Sequence, residues 1–215
     1  MFKVVLILIF FAAPLLADGG AAKPEAKAAE PSPMGLATDH YNQGLKYRDK
    51  AWKYEQRAAA DKKLQDRHEN LAKAEKEYKK VIEQQLAATA LNADFHESFS
   101  SLGYAYRKIG EYAPALKAYD RALELVPNYV EAIEYRAEAY LGLGRLSEAK
   151  AAYETLFLRD PQRAAQLLAA CRGWGTAPSA GVDSEVVAEF VLWIEAKEAT
   201  DREMTGANEG GQEQW

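Results

Sequence analysis

The residues in this chain that could do chemistry are three histidines, one cysteine and many glutamates. His68-Glu69 opens like a zinc-binding helix motif, in which a second histidine on the next turn completes the metal pair and the glutamate is general base. Ala72 stands where that second histidine must be. His96-Glu97 fails in the same way, with Ser100 at the completing position. His40, His68 and His96 fall in different helical segments, and no Cys or Asp pairing completes a zinc ligand set. No glycine-rich phosphate loop and no strand-turn-helix nucleophile elbow is present. The chain is therefore expected not to be an enzyme. It should have no catalytic residue, no metal site, no cofactor and no small-molecule substrate.

Cys171 is the single cysteine, so no intramolecular disulfide can form. It lies in "AAQLLAACR", where a small apolar residue on a buried helix face is the plain reading. A reactive thiol needs a neighbouring base or cation, which the sequence does not show.

The elements that would position any site are helical. Hydrophobic residues make up 48% of the chain and charged residues 27%, a globular balance. Ala, Leu, Glu and Lys dominate while Val, Ile and Thr are sparse, which favours helix. The formal net charge is −5. With no dense Lys/Arg patch carrying interleaved aromatics, nothing recommends a nucleic-acid partner.

The first residues have the layout of a secretory signal peptide. "MFK" is a short basic start, "VVLILIFFAAPLLA" is an uncharged apolar run, and "DGG" follows. The expectation is cleavage after about residue 17 and a periplasmic or secreted protein. The alternative is a membrane anchor through an uncleaved N-terminus, against which the run is short of the ~20 residues a spanning helix needs. Membrane contact is expected only through that segment. Residues 18–36, rich in Pro, Ala and charge, read as a disordered linker, and residues 200–215 as a disordered tail.

Between these ends the sequence repeats with a period of 34. Phe99 aligns with Ile133, Gly103 with Ala137, Tyr106 with Tyr140 and Gly110 with Gly144. Ala115 aligns with Ala149, Tyr119 with Tyr153 and Pro127 with Pro161. Phe99, Leu102, Gly103 and Tyr106 lie on one helical face, and Ala115, Tyr119 and Ala122 on a second. Gly110 sits where a helix ends in a left-handed cap, and Pro127 closes the unit. Small Gly103 and Ala115 are expected to face each other at the closest approach of the two helices.

This pattern resembles the tetratricopeptide repeat. Residues 96–129 match at Phe99, Leu102, Gly103, Tyr106, Ala115, Tyr119, Ala122 and Pro127. Residues 130–163 match at Ile133, Ala137, Tyr140, Ala149, Tyr153 and Pro161. They depart at Arg136, where Leu is usual, and at Leu156, where Ala is usual. The resemblance implies an all-α, right-handed α-solenoid of about three tetratricopeptide repeat hairpins with C-terminal capping helices. A third unit is needed because about three repeats make a stable stack.

Upstream, Gly44 and Tyr47 are spaced like Gly103 and Tyr106, and Ala74, Tyr78 and Val81 like Ala115, Tyr119 and Ala122. Against the period, 18 extra residues lie between the two halves of this unit and 7 after it. Residues 37–95 thus read as an elongated atypical first hairpin turning near Ala60–Lys62, or as an unrelated helical hairpin abutting two repeats. Equal lengthening projects it roughly 13 Å past its neighbours. Tyr54, Ala58, Leu64 and Leu71 are the expected packing of that extension. Residues 164–199 read as capping helices, with Asp183 or Ser184 as the last N-cap. Val187, Phe190, Val191, Trp193 and Ile194 make an apolar stripe there, either folded back on the cap or exposed to a partner.

By resemblance, the first helices line a concave groove that holds a peptide or protein segment. The groove residues would be Tyr41, Asn42, Leu45 and Arg48, then Ser100, Ser101, Tyr104, Arg107 and Lys108, then Glu134, Tyr135, Glu138 and Leu141. The Lys/Asn set with which some family members clamp a terminal carboxylate is absent, since Ser100 and Tyr104 occupy two of its places. Two functions are therefore expected to compete. One is a non-catalytic adaptor or scaffold with a protein or peptide partner. The other is a structural, self-associating component of the cell envelope that uses the C-terminal helix or the long hairpin.

Overall fold

The computed structural model describes residues 32–210, and all the regular structure among them is helical. The signal-peptide reading of residues 1–17, and the linker reading up to residue 31, lie outside the described residues. Helix α1 spans Pro33–Ala60 and α2 Leu64–Leu91. They are followed by α3 (His96–Lys108), α4 (Tyr112–Leu125), α5 (Val130–Gly142) and α6 (Leu146–Arg159). The last two are α7 (Pro161–Thr176) and α8 (Ser184–Gly210).

Two boundaries differ from the sequence reading. Helix α1 starts within the expected linker, because Ser32 accepts a hydrogen bond from the Gly35 amide at 3.1 Å and Pro33 is pre-set for the first helical position. Helix α8 runs past residue 199 to Gly210, through a stretch free of proline. Its start is fixed by Asp183, whose Oδ1 accepts from the Glu185 amide at 2.7 Å.

Each helix packs on the next in chain order, and α1 on α3, α3 on α5 and α5 on α7 as well. The odd-numbered helices therefore share one face. The repeat is visible in the backbone. Gly110 and Gly144 both have positive φ, 81° and 68°, which L side chains rarely adopt. At each turn the residue after the glycine donates back to a tyrosine carbonyl: Glu111 to Tyr106 and Arg145 to Tyr140, both at 2.9 Å. Such bonds satisfy carbonyls left open at a helix end.

The core of the stack is small residues closed around tyrosines. Ala115, Ala122, Ala137 and Ala149 are fully buried, and Tyr78, Tyr119 and Tyr153 nearly so. At Gly103 it is the ring of Tyr119 that lies nearest, 2.7 Å from where a Cβ would stand. Leu156, a departure from the repeat, is fully buried with Leu167, Leu168, Phe190 and Ile194. Arg136, the other departure, bridges α5 to α4 through Asp120 at 2.7 Å.

In the long hairpin the chain turns at 61–63, and Ala58 and Ala74 are buried. Leu64 and Leu71 do not pack it; they are 64% and 46% exposed. The apolar stripe of α8 is folded back, with Phe190 and Ile194 buried against α6 and α7. Trp193 stacks on Phe190 at 5.5 Å, so the reading of this stripe as an open strip is corrected.

Candidate binding groove

The first three odd-numbered helices enclose a cavity of about 120 Å³. Helix α1 contributes Tyr41, Leu45, Arg48 and Trp52, one turn apart along a single face. Helix α3 adds Glu97, Ser101 and Tyr104, stepped at the same spacing. Tyr129, just before α5, and Glu131 and Tyr135 on it complete the lining.

Aromatic contacts fix this wall. Tyr104 and Tyr135 have ring centroids 5.2 Å apart, and Tyr104 lies edge-on to Trp52 and Tyr78 at about 6 Å. The Trp52 indole donates to the Tyr104 hydroxyl at 2.6 Å, tying α1 to α3. Tyr41 packs on Phe95, and His96 meets Tyr129 edge-on at 5.0 Å. The Arg48 guanidinium lies 4.3 Å over Trp52. That of Arg107 lies over both Tyr104 and Tyr135, at 5.2 and 5.3 Å.

Burial raises the pKa of Tyr41, with Glu97 and Glu131 adding to it and Arg48 opposing. Burial also raises those of Tyr129 and Tyr135, and Glu131 is the largest charge acting on each. Two donors of the lining, Arg48 Nε and Ser101 Oγ, are buried without a hydrogen-bond partner. Such groups cost free energy unless something pairs with them.

The residues expected in the groove divide into three groups. Tyr41, Leu45, Arg48, Ser101, Tyr104 and Tyr135 come together around the cavity. Arg107, Lys108, Glu138 and Leu141 lie further along, around a second hollow of about 280 Å³ that Trp174 of α7 closes. There Arg107 is ion-paired with Glu138, and Lys108 reaches back to Glu55 of α1 at 2.7 Å. The third group is not groove surface. Ser100 is 1% exposed, because its place on α3 turns inward. Glu134 is 5% exposed and ion-paired with Arg163 of α7, and burial pushes its carboxyl pKa up. Asn42 is exposed but outside the cavity lining.

Trp52, Glu97, Tyr129 and Glu131 are lining residues that the sequence reading did not name. Trp52 lies on the same face as Arg48, one turn on, so continuing the step along α1 would have found it. Tyr129 precedes α5, where a helical period gives no signal.

Among the described residues no group of three or more His, Cys, Asp or Glu is placed to hold a metal. No helix among them is long and apolar enough to cross a membrane.

Two stretches of the chain match a known repeat family. Residues 96–129 and 136–163 match models of the tetratricopeptide repeat. The Heat shock protein sti1 homolog of Schizosaccharomyces pombe is 33% identical over 99 residues, which is 46% of this chain and 17% of that protein. The chain thus spans about a sixth of that relative's length. The second TPR domain of human RPAP3, solved with the HSP70 peptide SGPTIEEVD, is 24% identical with a TM-score of 0.49. That likeness covers 64% of this chain and 96% of the domain. The MamA protein is 19% identical with a TM-score of 0.35, over 69% of this chain and 98% of that one. Residues 96–129 and 136–163 are thus two tetratricopeptide repeats, with a longer helical hairpin ahead of them.

Proposed function

We propose that this chain is a non-catalytic interaction module, an adaptor or scaffold that holds a peptide or protein segment along α1, α3 and α5. The observation that carries the reading is the cavity between those helices, walled by tyrosines and Trp52 and holding two unpartnered buried donors, Arg48 Nε and Ser101 Oγ. Aromatic and arginine side chains in partly desolvated pockets are where binding energy concentrates. A segment supplying carbonyl groups would satisfy both donors. The peptide-bound state of the RPAP3 domain is in keeping with this use of the fold.

Export is part of the proposal and rests on the layout of residues 1–17. N-terminal sequencing of the protein from fractionated cells tests it, with Asp18 the expected first residue.

The groove is tested by partner capture. Tyr104→Ala and Tyr135→Ala should each lower capture while Lys117→Ala, on exposed α4 surface, should not. Unchanged capture by both tyrosine variants, with their circular dichroism intact, contradicts the reading.

A further inference from the structure

The chemistry of the partner segment can be read from the charges around the cavity, an inference that rests on the groove reading above. The cations of the concave face are largely committed. Arg107 pairs with Glu138, Arg163 with Glu134, and Lys108 with Glu55. Arg48 lies over Trp52 and against Asp49 at 3.2 Å.

The two carboxylates of the lining are less well balanced. Glu131 accepts from the Tyr129 hydroxyl at 3.3 Å, and the nearest Arg163 nitrogen is 3.6 Å away, beyond a good hydrogen bond. Glu97 has His96 at 3.0 Å, which offsets its charge only when protonated. Their side chains are 35% and 41% exposed, so both remain open to a ligand. After burial, both carboxylates raise the pKa values of Tyr41 and Tyr129, and Arg48 opposes them at Tyr41.

We propose that this end of the groove receives a lysine or arginine side chain of the partner, its cationic head between Glu97 and Glu131 against the faces of Tyr41 and Tyr129. A cation over a tyrosine ring is attracted by the ring's quadrupole, and carboxylates add charge-assisted hydrogen bonds. The cavity volume of about 120 Å³ is well above the ~10–15 Å³ that one water requires, so a side-chain terminus has room. Arg48 Nε and Ser101 Oγ, in the same lining, can take a main-chain carbonyl of the same segment. An acidic side chain would instead meet two carboxylates of its own sign, which selects against it.

The test is a randomised displayed hexapeptide library panned on the full chain. Wild type should enrich Lys or Arg at one position. Glu97→Gln with Glu131→Gln should abolish that enrichment and weaken a selected synthetic peptide by roughly five- to tenfold. Tyr104→Ala should lose the same peptide. Peptides that need Tyr104 but show no basic preference, or an acidic one, overturn this inference and leave the groove reading standing. Capture of no peptide, or of peptides indifferent to Tyr104→Ala, overturns the groove reading and this inference together.

Discussion

The ring of Tyr119 fills the place beside Gly103 where any other residue would carry its Cβ, with ring carbons 2.7 and 2.8 Å from that point. Glycine at 103 is therefore set by an aromatic ring from the partner helix. Even Gly103→Ala should destabilise the fold by about 1–3 kcal/mol through overpacking, and Gly103→Leu by more. Adding Tyr119→Leu should recover part of the loss. Urea unfolding of the three variants measures this, and an alanine variant as stable as wild type contradicts the contact.

A second close approach lies in the first hairpin, where Gln85 of α2 fills the space beside Gly44 of α1. Gln85 is fully buried. Its Oε1 accepts from the Ser98 hydroxyl at 2.7 Å and its Nε2 donates to the Tyr41 carbonyl at 3.3 Å. One amide thus joins α1, α2 and α3. Gln85→Leu should cost about 1–3 kcal/mol, because it leaves the buried Ser98 hydroxyl only its longer contact to the residue 85 main-chain carbonyl, at 3.4 Å. Adding Ser98→Ala should relieve part of it, which a double-mutant cycle in urea would show.

Arg107 has a structural duty that its place in the groove pattern hides. Its side chain is 13% exposed, paired with Glu138, and crossed by two tyrosine rings. Arg107→Gln should destabilise by about 1–3 kcal/mol, since it leaves the half-buried Glu138 carboxylate without its partner. Glu138→Gln in the same chain should be milder than Arg107→Gln alone. Equal thermal midpoints for wild type and Arg107→Gln would contradict a stabilising role.

The repeats were legible because their spacing obeys packing. Gly110 and Gly144 mark left-handed turns, and Ala115, Tyr119 and Ala122 mark a buried face, so a helix-turn-helix unit follows from period alone. The Tyr119 ring beside Gly103 was not legible, because periodicity says which residues face inward and not how far a tyrosine reaches. Residue type alone suggests that Leu64 and Leu71 pack the hairpin, but both stand exposed, Leu71 at the edge of a hollow that Lys108 and Ile109 also line. The groove was partly legible: Tyr41, Tyr104 and Tyr135 follow from one helical face. Ser100 and Glu134, one repeat apart, turn inward instead: Ser100 is buried, and Glu134 is buried where Arg163 of α7 pairs with it.

Cys171 is fully buried in the cluster that joins α6, α7 and α8, and desolvation pushes its thiol pKa up to about 12. It should resist labelling by a thiol reagent at pH 8 in the folded protein and react once denaturant unfolds the chain. Because the folded pKa lies above the unfolded one, its contribution to stability is complete below about pH 8.5 and is lost as pH rises toward 12. Rapid labelling without unfolding contradicts the packing of α8 over α7.

The central claim is that a partner segment lies along α1, α3 and α5, and site-specific photocrosslinking tests it most directly. A benzophenone amino acid would replace Tyr104, Tyr135 or, on α4, Lys117 in the full chain, and an extract from the source cells would be irradiated with each. The account predicts a discrete crosslinked species from positions 104 and 135 and none from 117. A product from position 117 with none from 104 or 135 would contradict it.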